Sequence, residues 1–310
     1  MTATASQLRY PSVDARLGER DSRFFGEGFK RVTHILTHIS VLPAAGTIEA
    51  TAGLSFPGRW SRKGDHHQRP HLSTIDAMLL AAQLTGLYTA HTYDHRSDGF
   101  RVLDVKLKAG ASPDEDALDR FAVSANCVSS THADGGLRTV MDCRIGSMHV
   151  AVTAAHPAAV PSVSPGRYPL PEHLPGVWNT APYGVDHHER AQLLDDVLVD
   201  LAGLEAAATL TLTAEDNGPL TGIDLFVAAL QLGQVLLYEL DGGDRATSNT
   251  LWMRKTHLGL TGTGANSGRF TVRLDNTRTL HNKQGTWRTG RIAARHGGLT
   301  LACDVAHLLP

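Results

Sequence analysis

The sequence predicts a duplicated α+β fold, two sheets in tandem, each wrapped around one long apolar helix. Three observations predict it: an internal repeat, one apolar helical run per repeat, and alternating segments after each run. Residues 72–86, LSTIDAMLLAAQLTG, and 220–234, LTGIDLFVAALQLGQ, agree at six of 15 positions: Leu72/Leu220, Ile75/Ile223, Asp76/Asp224, Ala81/Ala229, Gln83/Gln231 and Leu84/Leu232. RFAV at Arg120 returns as RFTV at Arg269, an offset of 149 against 148 for the aspartates. VAVTAAH, ending at His156, returns as LACDVAH, ending at His307, an offset of 151. Markers in one order at nearly constant spacing make the chain two copies of one unit.

The elements follow one order in both copies. A strand-like run comes first: GFKRVTHILTHISVL (28–42) in copy one, LDDVLVDLAGL (194–204) with AAATLTLT (206–213) in copy two. The apolar run with Asp and Gln follows; it lacks a polar face and therefore needs covering on all sides. LDVKLK (103–108) and FTVRLD (270–275) then alternate with period 2, placing Leu103, Val105 and Leu107, and Phe270, Val272 and Leu274, inward. The last two strands turn at CRIGSMHV (143–150) and AARHGGLTL (293–301), each with glycine at the turn. Strand, buried helix, antiparallel meander is the outline of the hotdog domain, so the expectation is a double hotdog. Residues 1–156 form its first domain, 157–182 a linker and 183–310 its second. Seven of the 14 prolines lie in the linker, a density that excludes regular helix or central strand.

A net charge of −2, 42% hydrophobic and 19% charged residues describe an ordinary soluble protein and argue against a general nucleic-acid binder. Cys127, Cys143 and Cys303 fit neither a disulfide framework nor a zinc site. The N-terminal residues carry no secretory apolar core, and no run approaches a membrane span. A cytoplasmic location, with no membrane association, is expected. The 23 arginines against six lysines look like codon bias and say little about function.

Asp76 and Asp224 need a reason, because burying an unpaired charge costs several kcal/mol. Ser73-x-x-Asp76 and Thr221-x-x-Asp224 both fit the capping box, in which the carboxylate returns a hydrogen bond to the N-cap amide. That alone accounts for an acid in both copies. Catalysis is compatible with it: in hotdog dehydratases and thioesterases an acid near the start of the helix faces the thioester tunnel and works with a histidine. Gln83 and Gln231 follow two turns along the same face, where an amide and a carboxylate could line one cavity.

The copies differ ahead of the helix. FPGRWSRKGDHHQRPH (56–71) stands where copy two has little more than TAEDNGP (213–219). The insertion is either a solvated loop or a basic mouth for the phosphate of phosphopantetheine or coenzyme A, or for an acidic carrier protein. In the second case Arg59, Arg62, Lys63 and Arg69, with Trp60, His66 and His67, bind substrate. His71, five residues before Asp76, is then the favoured partner of that aspartate. His34 and His38 share a face of a straight strand, as do His91 and His95 of a continued helix, but no third ligand accompanies either pair and no metal is expected. His187 and His188 fall on linker surface, and His156 and His307 end strands.

FFGEGFKRV (24–32), together with LSTIDAMLLAAQL (72–84), resembles the avirulence protein D family of syringolide synthesis, over nearly the whole chain. The layout is also similar to the A-factor biosynthesis enzymes. The resemblance implies an enzyme that joins a β-ketoacyl group to a small hydroxyketone: a xylulose-like ketose for syringolides, dihydroxyacetone phosphate for A-factor. The acyl group arrives as a thioester of coenzyme A or acyl carrier protein. Ester formation followed by attack of the activated methylene on the ketone closes a butenolide. Both steps need a base and no metal or redox cofactor, and helix N-terminal amides could hold the thioester oxyanion. On hotdog geometry Asp76, His71 and Asp224 are the catalytic candidates. Two other readings stand beside this one: a dehydratase or thioesterase on carrier-bound acyl chains, and a non-catalytic double hotdog that binds a lactone or acyl ligand. Monomer and homodimer are both open, since one chain already holds the usual pair of domains.

Overall fold

The apolar run of copy one forms a helix in which every residue from Thr74 to Ala90 is buried, as a wrapped helix requires. A computed structural model describes residues 7–58, 60–174, 181–184, 186–214, 218–246, 248 and 250–309. In chain order they form β1 (Gln7–Ser12), α1 (Val13–Leu17), β2 (Thr33–Leu42), β3 (Thr47–Ser55), β4 (Arg62–Lys63), β5 (His66–His67), α2 (Thr74–Tyr93), β6 (Arg101–Lys108), β7 (Phe121–Ala133), β8 (Gly136–Ile145), β9 (Met148–His156), β10 (Gly166–Tyr168), β11 (Arg190–Asp200), β12 (Glu205–Ala214), α3 (Gly222–Asp241), β13 (Trp252–Leu260), β14 (Ser267–Asn282), β15 (Gly285–His296) and β16 (Leu299–Leu308).

Two compact units result. The first comprises Val32–Pro57 and Pro70–Asp186; the second comprises Met1–Arg31, Gly58–Arg69 and His187–Pro310. In the first, the strands run β6-β9-β8-β7-β3-β2-β10 and α2 lies against β2, β3 and β6 to β9. In the second they run β13-β16-β15-β14-β12-β11-β1 around α3, the same order in the matching strands. Neighbouring strands in each run are antiparallel. Each unit is a hotdog domain. Every fully buried Leu, Ile or Val between helix and sheet contributes about 1.5–3 kcal/mol.

The units are not the contiguous halves expected from the sequence. Residues 7–31 fold with the second copy because β1 pairs with β11, Leu8 opposite Val199. The proline-rich stretch is also more than a connection, since β10 within it pairs with β2 through Gly166 and Val41; residues 175–180 lie outside the described residues.

The duplication extends to irregularities. Bulges interrupt β2 between Thr37 and Ser40 and β11 between Asp195 and Leu198, with His38 and Asp196 at φ 53° and 51°. A second pair sits at Cys127/Ser129 and Asp275/Arg278, a third at Val102/Asp104 and Met253/Lys255. Each bulge flips the side-chain alternation downstream. So Val102 is buried where Leu103 was expected, while Val105 and Leu107 face inward as read from the sequence. One expectation on membranes also needs correcting: Gly222–Asp241 is long and apolar enough to span one. Of its apolar window 83% is buried in the protein, as befits a core helix. The three cysteines are free thiols, and burial pushes those of Cys143 and Cys303 up to about 12.

Candidate active site

Both capping boxes form. In the first unit Asp76 Oδ2 accepts from the Ser73 amide at 2.8 Å and the Ser73 hydroxyl at 2.6 Å, while that hydroxyl accepts from the Asp76 amide at 3.2 Å. In the second, Asp224 Oδ2 accepts from the Thr221 amide at 2.9 Å and hydroxyl at 2.8 Å. Capping occupies one carboxylate oxygen in each copy. The other oxygen separates the two copies.

Asp76 Oδ1 meets His34 Nε2 at 2.8 Å, with the aspartate side chain 1% and the histidine 10% exposed. Asp224 Oδ1 accepts instead from Gln192 Nε2 at 2.7 Å, and its Oδ2 also accepts from Arg190 Nε at 3.0 Å. Counting back from the matched bulges, Thr37 corresponds to Asp195, so His34 corresponds to Gln192 and Val32 to Arg190. The same strand position thus presents an imidazole in one copy and an amide in the other. Arg190, 1% exposed, additionally donates through Nη2 to the carbonyls of Gly218 and Pro219. Asp224 is the counter-ion of a buried arginine, among partners that take no part in proton transfer near neutral pH.

In the first unit the hydrogen bonds fix the tautomer. Oδ2 already receives two donors, and Oδ1 accepts the Nε2–H of His34, so the lone pair of the neutral ring lies on Nδ1. A ring held by a carboxylate at one nitrogen is arranged to move a proton at the other.

Gln83, two turns from Asp76, is buried and makes no side-chain hydrogen bond among the described residues. Its counterpart Gln231 has a fixed structural partner: its Oε1 accepts from Arg23 Nη1 at 2.8 Å, and Arg23 Nη2 donates to Asp14. His71 is half-buried ahead of the N-cap, and the ring set on Asp76 is His34. Residues 58–69 fold with the second unit, so the unit that holds Asp76 contains neither His66 nor His67. There β4 and β5 form a hairpin with both histidines exposed and Arg69 exposed at its end. Arg62 and Lys63 are half-buried, and Trp60 is buried with its ring 4.8 Å from that of Phe24. Arg59 lies outside the described residues. The FFGEG segment makes one wide helical turn that sets Phe25 against Phe226, and only glycine fits at 26 and 28. A Cβ there would stand 2.0 Å from the Arg20 carbonyl oxygen and 1.9 Å from that of Trp60.

Four other histidines lie away from Asp76. The bulge turns His38 outward. His91 bonds the Tyr168 hydroxyl at 2.7 Å. His187 is buried, contrary to the surface position expected for it, with its ring stacked on Phe29. His156 donates from Nδ1 to the Pro157 carbonyl at 3.0 Å, bonds the Thr139 hydroxyl through Nε2 at 2.8 Å, and stacks on His95. Burial, with the charge of a protonated His95 adding to it, pulls His156 down to about 4. Unfolding returns it to about 6.5, so the unfolded chain binds more protons between those values and stability rises with pH. The contribution is present above about 6.5 and lost as pH falls toward 4. Melting temperatures measured across that range should fall on acidification in the wild type and fall less in His156→Gln. Equal slopes would place the acid sensitivity elsewhere.

Two hotdog units in one chain, one with a His–Asp pair at the start of its helix and one with a Gln/Arg-clamped counterpart there, define a double hotdog protein with a candidate proton-transfer site at the start of α2. The chain belongs to the Pseudomonas avirulence D protein (AvrD) family, whose profile matches residues 8–310. No curated protein matches it. Among solved structures it is similar to a putative thioesterase from Novosphingobium aromaticivorans, at 13% identity and TM-score 0.41 over 87% of this chain and 98% of that one. It is likewise similar to the dehydratase domain of RzxB from Pseudomonas fluorescens, at 13% and 0.41 over 87% and 97%. A pyran synthase domain from module nine of the sorangicin pathway is similar at 12% and 0.40 over 89% and 98%.

Proposed function

We propose that this chain is a lactone-forming acyltransferase that joins a β-ketoacyl thioester to a small hydroxyketone, a xylulose-like ketose being the simplest fit. Membership of the avirulence D family supports the reaction class, and the pairing of His34 with Asp76 Oδ1 carries the mechanism. His34 Nδ1 takes the proton of the acceptor hydroxyl as its oxygen attacks the thioester carbonyl. The C–S bond then breaks, and the thiolate leaves with the proton from the imidazolium. His34 next removes a proton from the methylene between the two carbonyls of the new ester. The carbanion attacks the ketone carbon, and loss of water gives the butenolide. Asp76 orients the ring and stabilises its charged form, while amides of the first turn of α2 are the oxyanion donors. Gln83 holds an acyl carbonyl along the same face. The thioester is carried by coenzyme A or acyl carrier protein in the cytoplasm, and the reaction draws on no further cofactor.

Mass spectrometry of the protein incubated with a β-ketoacyl thioester, with and without a ketose, tests this. A product containing both fragments is expected only when both are supplied. Free acid or a dehydrated acyl chain formed without an acceptor would replace this reading with a thioesterase or dehydratase, and unchanged thioester would leave a binding protein.

A further inference from the structure

Three buried polar atoms of the second unit make no hydrogen bond among the described residues: Gln231 Nε2, Arg23 Nε and Gln192 Oε1. Their residues are 0%, 2% and 1% exposed, so bulk solvent does not answer them. Two are donors, and they flank one hydrogen bond. Arg23 Nη1 donates to Gln231 Oε1 at 2.8 Å, so each of the two nitrogens shares a carbon with an atom of that bond. The third is an acceptor at the other end of the same stripe, on the amide whose Nε2 donates to Asp224 Oδ1 at 2.7 Å. Asp224 and Gln231 lie two turns apart on one face of α3, about 10 Å along its axis. Between them stand Val227 and Ala228, where α2 has Leu79 and Leu80, so this stripe carries four side-chain carbons fewer.

A buried donor or acceptor left unmade is costly, and the chemistry of these three specifies what would answer them. The charges at both ends are paired, Arg23 with Asp14 and Arg190 with Asp224, so no further anion is called for. Two donors at one end suit a neutral carbonyl oxygen, and the acceptor at the other suits a hydroxyl. The segment from Arg20 to Phe29 is fastened across the stripe. Arg20 Nη1 donates to the Gln192 carbonyl at 3.0 Å, Arg23 holds Gln231, and the Phe25 ring lies 6.0 Å from that of Phe226. A ligand held there is enclosed.

We propose that the second unit binds a small neutral hydroxycarbonyl compound, its carbonyl on Gln231 Nε2 and Arg23 Nε and its hydroxyl on Gln192 Oε1. Binding here does not depend on the reaction proposed for His34 and Asp76. Nuclear magnetic resonance of the full chain, isotope-labelled at its glutamine side-chain nitrogens, reads the two amides directly, whatever else the protein binds. Gln192→Met and Gln231→Met assign the signals. Titration with xylulose should shift both along one saturable curve, while xylitol, which lacks the carbonyl, should leave Gln231 in place. In folded Gln231→Met, the Gln192 signal should need at least tenfold more xylulose to shift. Signals of the folded wild type unmoved by xylulose, or moved alike by xylitol, would overturn the site and leave buried waters as the partners of the three atoms. A Gln192 response unchanged in Gln231→Met would overturn it as well. Amides that respond in a chain forming no joined product keep the site and discard the reaction; joined product with silent amides does the reverse.

Discussion

Replacing Asp224 with alanine should destabilise the second unit by about 3–5 kcal/mol, because a buried guanidinium loses a carboxylate paired with it. Arg190 is 1% exposed, and it also donates to the carbonyls of Gly218 and Pro219. The cut also removes the acceptor for Gln192 and for the Thr221 amide. Against a total of about 5–15 kcal/mol for a domain, this is a large fraction. Asp76→Ala should cost less, nearer the 1 kcal/mol or so of a lost helix cap, because it removes no partner from a buried guanidinium. Urea unfolding followed by far-ultraviolet circular dichroism, which reads both units, gives the comparison. Equal losses for the two alanine variants would mean that Arg190 finds other compensation. Adding Arg190→Met to Asp224→Ala should recover part of the loss, since the double change removes the buried guanidinium together with the carboxylate.

The sequence made the helices and their caps legible because those rest on local chemistry. Ser73-x-x-Asp76 and Thr221-x-x-Asp224 span one turn, and both capping boxes form as read. The repeat was legible because the two helices keep Asp and Gln at the same spacing. The partner of Asp76 was not. His34 lies 42 residues upstream on a strand, and only sheet register brings it to the helix start. The bulge between Thr37 and Ser40 breaks the strand alternation, so the spacing of His34 and His38 suggested a shared face that does not exist. A signal was present nonetheless: aligning the copies through this irregular strand sets His34 over Gln192 and Val32 over Arg190, an asymmetry aimed at the two aspartates. The placement of residues 7–31 with the second copy had no local signature, because the pairing of β1 with β11 spans most of the chain.

His34→Gln gives the first unit the pattern of the second, and it is the sharpest test of the proposed chemistry. Glutamine at this position can donate to the aspartate, as Gln192 does to Asp224 Oδ1 at 2.7 Å, so the fold should survive with little loss of stability. What it cannot do is accept and return a proton. Loss of a general base costs about 10²–10⁴-fold, so joined-product formation in single-turnover experiments should fall by that factor while the melting temperature holds. Asp76→Asn should also reduce turnover, since an amide donor facing Nε2 no longer selects the Nε2–H tautomer. The reverse change, Gln192→His, should create no second site, because Arg190 would still hold Asp224 as its counter-ion. If His34→Gln formed product at the wild-type rate, the His34–Asp76 contact would be structural, as its counterpart is, and the base would have to be sought elsewhere.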